Sequence, residues 1–165
     1  MTMIRAYLFN HKVIVPNVVQ TVDGFFTDEG PIEVFEIARE TEWCQSLSRR
    51  LHHGNDLVNT PDGSEEPGSA ILERLDIVKW STFELQAIMF TLHMGARYVS
   101  LYKTGRGVDG MWSGSATEKR QFDPRVPQHL ALAALTEEII KQDRVRAPGT
   151  GLAVVQKDKS ENSTN

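Results

Sequence analysis

The chain has 165 residues, 40% of them hydrophobic and 24% charged, which fits one globular domain with a real core and leaves no apolar run long enough to span a bilayer. Its one cysteine, Cys44, excludes an internal disulfide framework and a cysteine-rich zinc site, and Arg5, Asn10, His11 and Lys12 interrupt any signal-peptide core, so a reducing cytoplasm is the expected location. The net charge of −4 is unevenly spread, since residues 20–76 hold 13 acids against 4 bases, and such a field disfavours nucleic-acid partners.

From Met3 to Ile37, β-branched and aromatic residues recur at Ile4, Tyr7, Phe9, Val13, Val15, Phe25, Phe26, Ile32, Val34, Phe35 and Ile37. Asn10-His11, Pro16-Asn17, Asp23-Gly24 and Glu29-Gly30-Pro31 punctuate them, a pattern that predicts three or four short antiparallel strands. Thr41 to His53 reads as an amphipathic helix, with Trp43, Cys44, Leu47 and Leu51 on one side and Gly54 ending it. Glu42 near its start and Arg49, Arg50, His52 and His53 near its end complement the helix dipole. Residues 55–69 concentrate Asn, Asp, Pro, Gly and Ser, as a long exposed loop does.

Ala70 to Leu75 suggests a short helix, and Ser81-Thr82-Phe83-Glu84 has the form of a capping box. The next segment predicts a helix at 82–86 followed by two strands, with a single helix over 82–94 as the alternative. Pro127 suits a first helical turn, and Leu130, Ala131, Ala134, Leu135 and Ile139 form the apolar stripe of a helix over 127–142. The expected organisation is one α+β domain over 1–151, an antiparallel-rich sheet packed by a few helices, with a disordered tail at 152–165.

Motifs with chemical meaning are sparse. Gly105-Arg106-Gly107-Val108-Asp109-Gly110 matches G-x-G-x-x-G, but Met111 to Ser115 does not open the helix a dinucleotide needs, so a glycine-rich hairpin or loop is expected. His11, His52, His53, His93 and His129 form no H-x-x-x-H pattern, and adjacent His52 and His53 point about 100° apart on a helix. Cys44, between Trp43 and Leu47, reads as a small core residue. Trp43 and Trp80 read as core, whereas Trp112 lies in a glycine-rich segment from which it could anchor a partner. No cofactor or metal is expected.

The order of these elements carries a resemblance. A hydrophobic strand, then Val13-Ile14-Val15-Pro16, Asp23-Gly24-Phe25-Phe26 and Gly30-Pro31-Ile32-Glu33-Val34, then Lys79-Trp80-Ser81 before a sheet region and a closing helix with Leu130, Leu135 and Ile139, resembles the CdiI family, the immunity proteins of contact-dependent growth inhibition systems. The likeness runs over about residues 3–142. It implies a non-enzymatic cytoplasmic protein that binds the toxic C-terminal domain of its cognate effector, often a nuclease.

On that reading clustered carboxylates would attract a basic toxin surface, with Asp23, Asp28, Glu29, Glu65 and Glu66 as the contact, flanked by Trp112. The bland alternative for these acids is a solvated face, and docking by strand addition at a sheet edge is a second binding mode. The rival from another class is a small enzyme whose groups converge only in three dimensions, for instance His93, Asp109 and Glu118. A single-stranded nucleic-acid binder is disfavoured by the charge. Oligomeric state is left open.

Overall fold

The tightest local signal in the chain is Asn10-His11, and in the computed structural model, which describes residues 1–63, 66 and 68–146, both residues take positive φ (48° and 57°) in a two-residue turn. That geometry matches the right-handed twist of a hairpin. It joins β1 (Thr2–Phe9) to β2 (Lys12–Thr21) with Phe9 opposite Lys12 and Tyr7 opposite Ile14. β3 (Phe26–Glu36) completes an antiparallel meander.

The predicted breaks at Pro16-Asn17 and Glu29-Gly30-Pro31 do not end strands. β2 runs through Pro16 with a register shift between Val15 and Asn17, and β3, an edge strand, carries Pro31 after a cis peptide bond. Bulges and edges are where a residue without an N–H is tolerated.

α1 (Glu40–His53) follows, one residue longer at its start than expected, with Glu40 and Glu42 in its first turn, Arg50, His52 and His53 in its last and Gly54 at its C-cap. Within the expected loop, β4 (Leu57–Val58) pairs in parallel with Gln20 and Thr21 of β2. The side chain of Asn55 holds the same loop by bonding the Met3 N–H at 2.7 Å and the carbonyls of Met3 and Val18. α2 (Ser69–Leu75) and α3 (Trp80–Gln86) come next.

The capping box is not made. α3 starts before Ser81, with Lys79 extended at its N-cap and no side-chain cap, and Glu84 instead accepts the backbone N–H of Trp112 at 2.7 Å. Tertiary contact has taken the carboxylate that the local motif would have used.

β5 (Ile88–Met94) and β6 (Val99–Arg106) are strands, so the single helix over 82–94 does not occur. β7 (Trp112–Phe122) was not legible from sequence, because nine of its eleven residues are exposed and it lacks an apolar alternation. α4 (Gln128–Arg146) closes the described chain and runs four residues past the expected end. The expected tail at 152–165 and the domain's end at 151 lie outside the described residues.

The sheet order is β3-β2-β1-β5-β6-β7, two antiparallel meanders joined where β1 pairs with β5, Ile4 opposite Leu92. The result is an α+β fold. Because successive side chains alternate faces, Ile4, Ala6, Leu8, Val13, Val15, Phe90, Leu92, Val99 and Leu101 meet Trp43, Leu47 and Leu51 of α1 and Ala131, Leu135 and Ile139 of α4 on one face. Burial of Phe90, Leu47, Leu135 and Ile139, all at 0% exposure, contributes roughly 1.5–3 kcal/mol each. On the other face Tyr7, Ile14 and Ile32 pack against Ile71 and Leu72 of α2 and Phe83 of α3.

Candidate functional site

α2 and α3 cover only the half of the second face nearest the Asn10-His11 turn. Residues of the same alternation farther along, Arg5 on β1, Thr91 and His93 on β5, Ser100 and Tyr102 on β6 and Lys119 on β7, floor an open trough of about 390 Å³. The half-covered face follows from helix length, since α2 and α3 have only seven residues each.

The side of the trough toward β3 is built from a buried charge cluster. Arg5 Nη1 donates to Asp28 Oδ1 at 2.7 Å and Nη2 to the Phe26 carbonyl at 3.2 Å, while the Tyr7 hydroxyl donates to Asp28 Oδ2. The side chains of Arg5 and Asp28 are only 18% and 7% exposed. Burial alone would push the Arg5 pKa down, but Asp28 and Tyr7 outweigh it and hold the value above the ordinary one. Burial and the adjacent Asp28 push the Tyr7 phenol well up, so it stays protonated.

His93 stands beside this cluster, its ring edge-on to Phe26 at 6.2 Å, with Nε2 buried and unpartnered among the described residues. Its pKa is lowered by burial, by the nearby amino terminus and by Lys119. Lys119 itself has no carboxylate within ion-pair distance among the described residues.

At the sheet end opposite the Asn10-His11 turn, the β2–β3 turn, β4 and the β5–β6 turn meet solvent. Both exposed aromatic side chains of the described residues, Phe25 at 70% and Tyr98 at 55%, stand at this end, together with Val22, Leu57 and Met1. The turns hold them firmly: Thr21 N–H bonds the Phe25 carbonyl at 2.7 Å, Thr21 Oγ1 accepts from Phe25 N–H, and Gly95 N–H bonds the Tyr98 carbonyl.

The acids expected to form one contact surface are dispersed. Asp23 is exposed at the apolar end, where it accepts from the Thr60 hydroxyl. Asp28, expected in the same patch, faces inward, its carboxylate engaged by Arg5 and Tyr7. Glu29 is half-buried in β3, Glu66 is exposed on the loop before α2, and Glu65 lies outside the described residues.

Trp112 is no exposed anchor. It stacks on Tyr7 at 5.8 Å and meets Trp80 and Phe83 edge-on, at the end of the sheet opposite Asp23. Neighbouring acids of the same run are also engaged: Glu33 binds Ser46, Arg49 and Arg50 across to α1, Glu36 bridges Lys12 and Glu42 bridges Arg39. Burial works against the Glu33 carboxylate, but the hydrogen bonds from Ser46 and Arg49 and the charges of Arg49 and Arg50 hold its pKa below the usual range.

His93, Asp109 and Glu118 do not converge. His93 faces the trough, Asp109 sits in the β6–β7 turn accepting from Met111 N–H, and Glu118 bridges Lys103 at 3.0 Å on the α4 side. The glycine-rich segment is that same turn, closed by Gly107 N–H to the Met111 carbonyl and Gly110 N–H to the Gly107 carbonyl. Among the described residues no group of three or more His, Cys, Asp or Glu is placed to hold a metal, and no helix is long and apolar enough to cross a membrane. Cys44 is half-buried, 3.3 Å from the Thr136 hydroxyl, with its thiol pushed up by burial.

No family model and no curated protein matches the sequence. Among solved structures the chain is similar to the protein of unknown function NMB0488 from Neisseria meningitidis, with 8% identity and a TM-score of 0.56 over 86% of this chain and 94% of that one. That likeness is one of fold.

Proposed function

We propose that this protein neutralises a toxin by binding it: an immunity protein that docks the C-terminal toxin domain of a contact-dependent growth inhibition effector in the cytoplasm. The observation that carries this reading is the exposure of Phe25 and Tyr98 on hydrogen-bonded turns at one end of the sheet, where Val22 and Leu57 are exposed as well. Aromatic anchors ringed by smaller contacts dominate the energetics of protein interfaces. The order of strands and turn residues, which resembles the CdiI family, supplies the class of partner.

The contact surface moves accordingly from an acidic patch to an apolar one with Asp23 at its margin. Charge then steers the encounter and burial of the aromatics holds the complex, so affinity should depend on salt only modestly.

The test is co-expression with the toxin domain encoded beside this chain in its own genome. The wild-type protein should rescue growth and co-purify with the toxin. Phe25→Ser with Tyr98→Ser, both at exposed positions, should leave the unfolding midpoint within about 0.5 kcal/mol of wild type and weaken capture at least tenfold. Rescue and capture unchanged by that pair would refute the docking end. A toxin that kills equally with and without the wild-type protein would refute the immunity reading itself.

A further inference from the structure

The trough on the open sheet face is basic, although the protein as a whole is acidic. Its lining contains three basic side chains, Arg5, His93 and Lys119, and no carboxylate. Thr91 and Ser100, 2% and 8% exposed, place hydroxyls in its floor, and Tyr102 adds a phenol. The acid of the trough wall, Asp28, is taken up by Arg5 and Tyr7, and Lys119 has no carboxylate within ion-pair distance among the described residues, so the uncompensated charge of the lining is positive.

We propose that this trough binds an oxyanion, a phosphate or carboxylate group carried by a ligand, with Lys119 and protonated His93 supplying the charge and the hydroxyls of Thr91, Ser100 and Tyr102 its orientation. Arg5 is neutralised by Asp28, so its part is to fix the wall, and the unbalanced charge falls to Lys119 and His93. The groups around His93 agree on the sign. Arg5 from β1, Lys119 from β7 and the amino terminus are cationic, Tyr102 from β6 and Phe26 from β3 are uncharged, and Asp28 lies behind Arg5.

An empty trough therefore disfavours the imidazolium, and an anion between His93 and Lys119 reverses that. It relieves the repulsion on the imidazolium. Binding should then strengthen as pH falls through the His93 titration, because protonated His93 is the form that the anion pairs with.

The experiment follows the His93 imidazole by NMR through a pH titration of the full chain at low ionic strength, alone, with inorganic phosphate and with acetate, His93→Asn assigning the resonance. Saturable binding should raise the His93 pKa by about one unit, the effect of an opposite charge at close range. Lys119→Gln should weaken it roughly tenfold, the loss of one charge-assisted hydrogen bond. Lys141→Gln, on the solvent side of α4, should leave it unchanged.

Saturation by phosphate and not acetate identifies a phosphoryl ligand, and the reverse a carboxylate. A His93 titration indifferent to both, or equal weakening by the two lysine variants, overturns the proposal. Neither result touches the toxin reading, which rests on other residues.

Discussion

Asp28 offers the sharpest test, because sequence placed it on a docking surface and the fold places it inside. Replace it with Asn. The substitution keeps shape and one acceptor but removes the charge that compensates Arg5, whose side chain is 18% exposed, and weakens the acceptor for the buried Tyr7 hydroxyl. Breaking one side of a buried ion pair costs about 3–5 kcal/mol, most of it the stranded partner's desolvation. Asn recovers some of the hydrogen bonding, so the lower limit, about 3 kcal/mol, is expected.

At roughly 2–4 °C per kcal/mol for a chain of this size, the Tm should fall by about 10 °C, read by circular dichroism or tryptophan fluorescence. Asp23→Asn, at an exposed position, should stay within about 0.5 kcal/mol of wild type. The triple change Arg5→Met, Tyr7→Phe and Asp28→Leu should recover most of the loss, since apolar replacement of a whole buried cluster is often near neutral. Equal midpoints for Asp28→Asn and Asp23→Asn would refute the buried-cluster account.

Further expectations follow from the same geometry. The Tyr7 phenol is held well above its ordinary value of 10.0, so the folded state keeps a proton that the unfolded chain releases. Stability is therefore fully present below pH 10 and should decline above it with a slope approaching about 1.4 kcal/mol per pH unit, a decline that urea titrations should find reduced in Tyr7→Phe. Gly68→Ala should cost about 2–4 kcal/mol in urea unfolding, because Gly68 has φ +78° and an added Cβ would run into the Trp80 ring. Cys44, with its thiol pKa raised by burial, should react with a thiol-directed reagent near neutral pH more slowly than a free cysteine, and unfolding in urea should restore the full rate.

Where a segment buries one face, its sequence states so. Helix 41–53 and the strands of 3–37 were legible because Trp43, Leu47 and Leu51, and Ile4, Val13 and Val15, repeat at the period of their element. β7 was not, because an edge strand exposed on both faces imposes no period on Ser113-Gly114-Ser115-Ala116-Thr117-Glu118-Lys119. The Ser81–Glu84 box misled for a related reason: a motif four residues long cannot announce that Trp112, 28 positions on from Glu84, offers its carboxylate a better donor.

The candidate site was harder to read, since it depends on what is left uncovered. Alternation along β1 and β5 assigns Arg5, Thr91 and His93 to the face opposite Ile4 and Leu92, but nothing in those strands says that α2 and α3 stop halfway. Arg5 and Asp28 lie 23 positions apart, so the neutralisation of the expected acidic patch from within becomes visible only in the strand order, which sets β2 between them. A carboxylate in an exposed turn, such as Asp23, keeps its charge available to a partner, whereas one on an alternating strand takes the environment of the face it points to. For this chain the division follows directly: turns present Phe25 and Tyr98 to solvent, and strands gather their polar groups into a buried cluster and a trough.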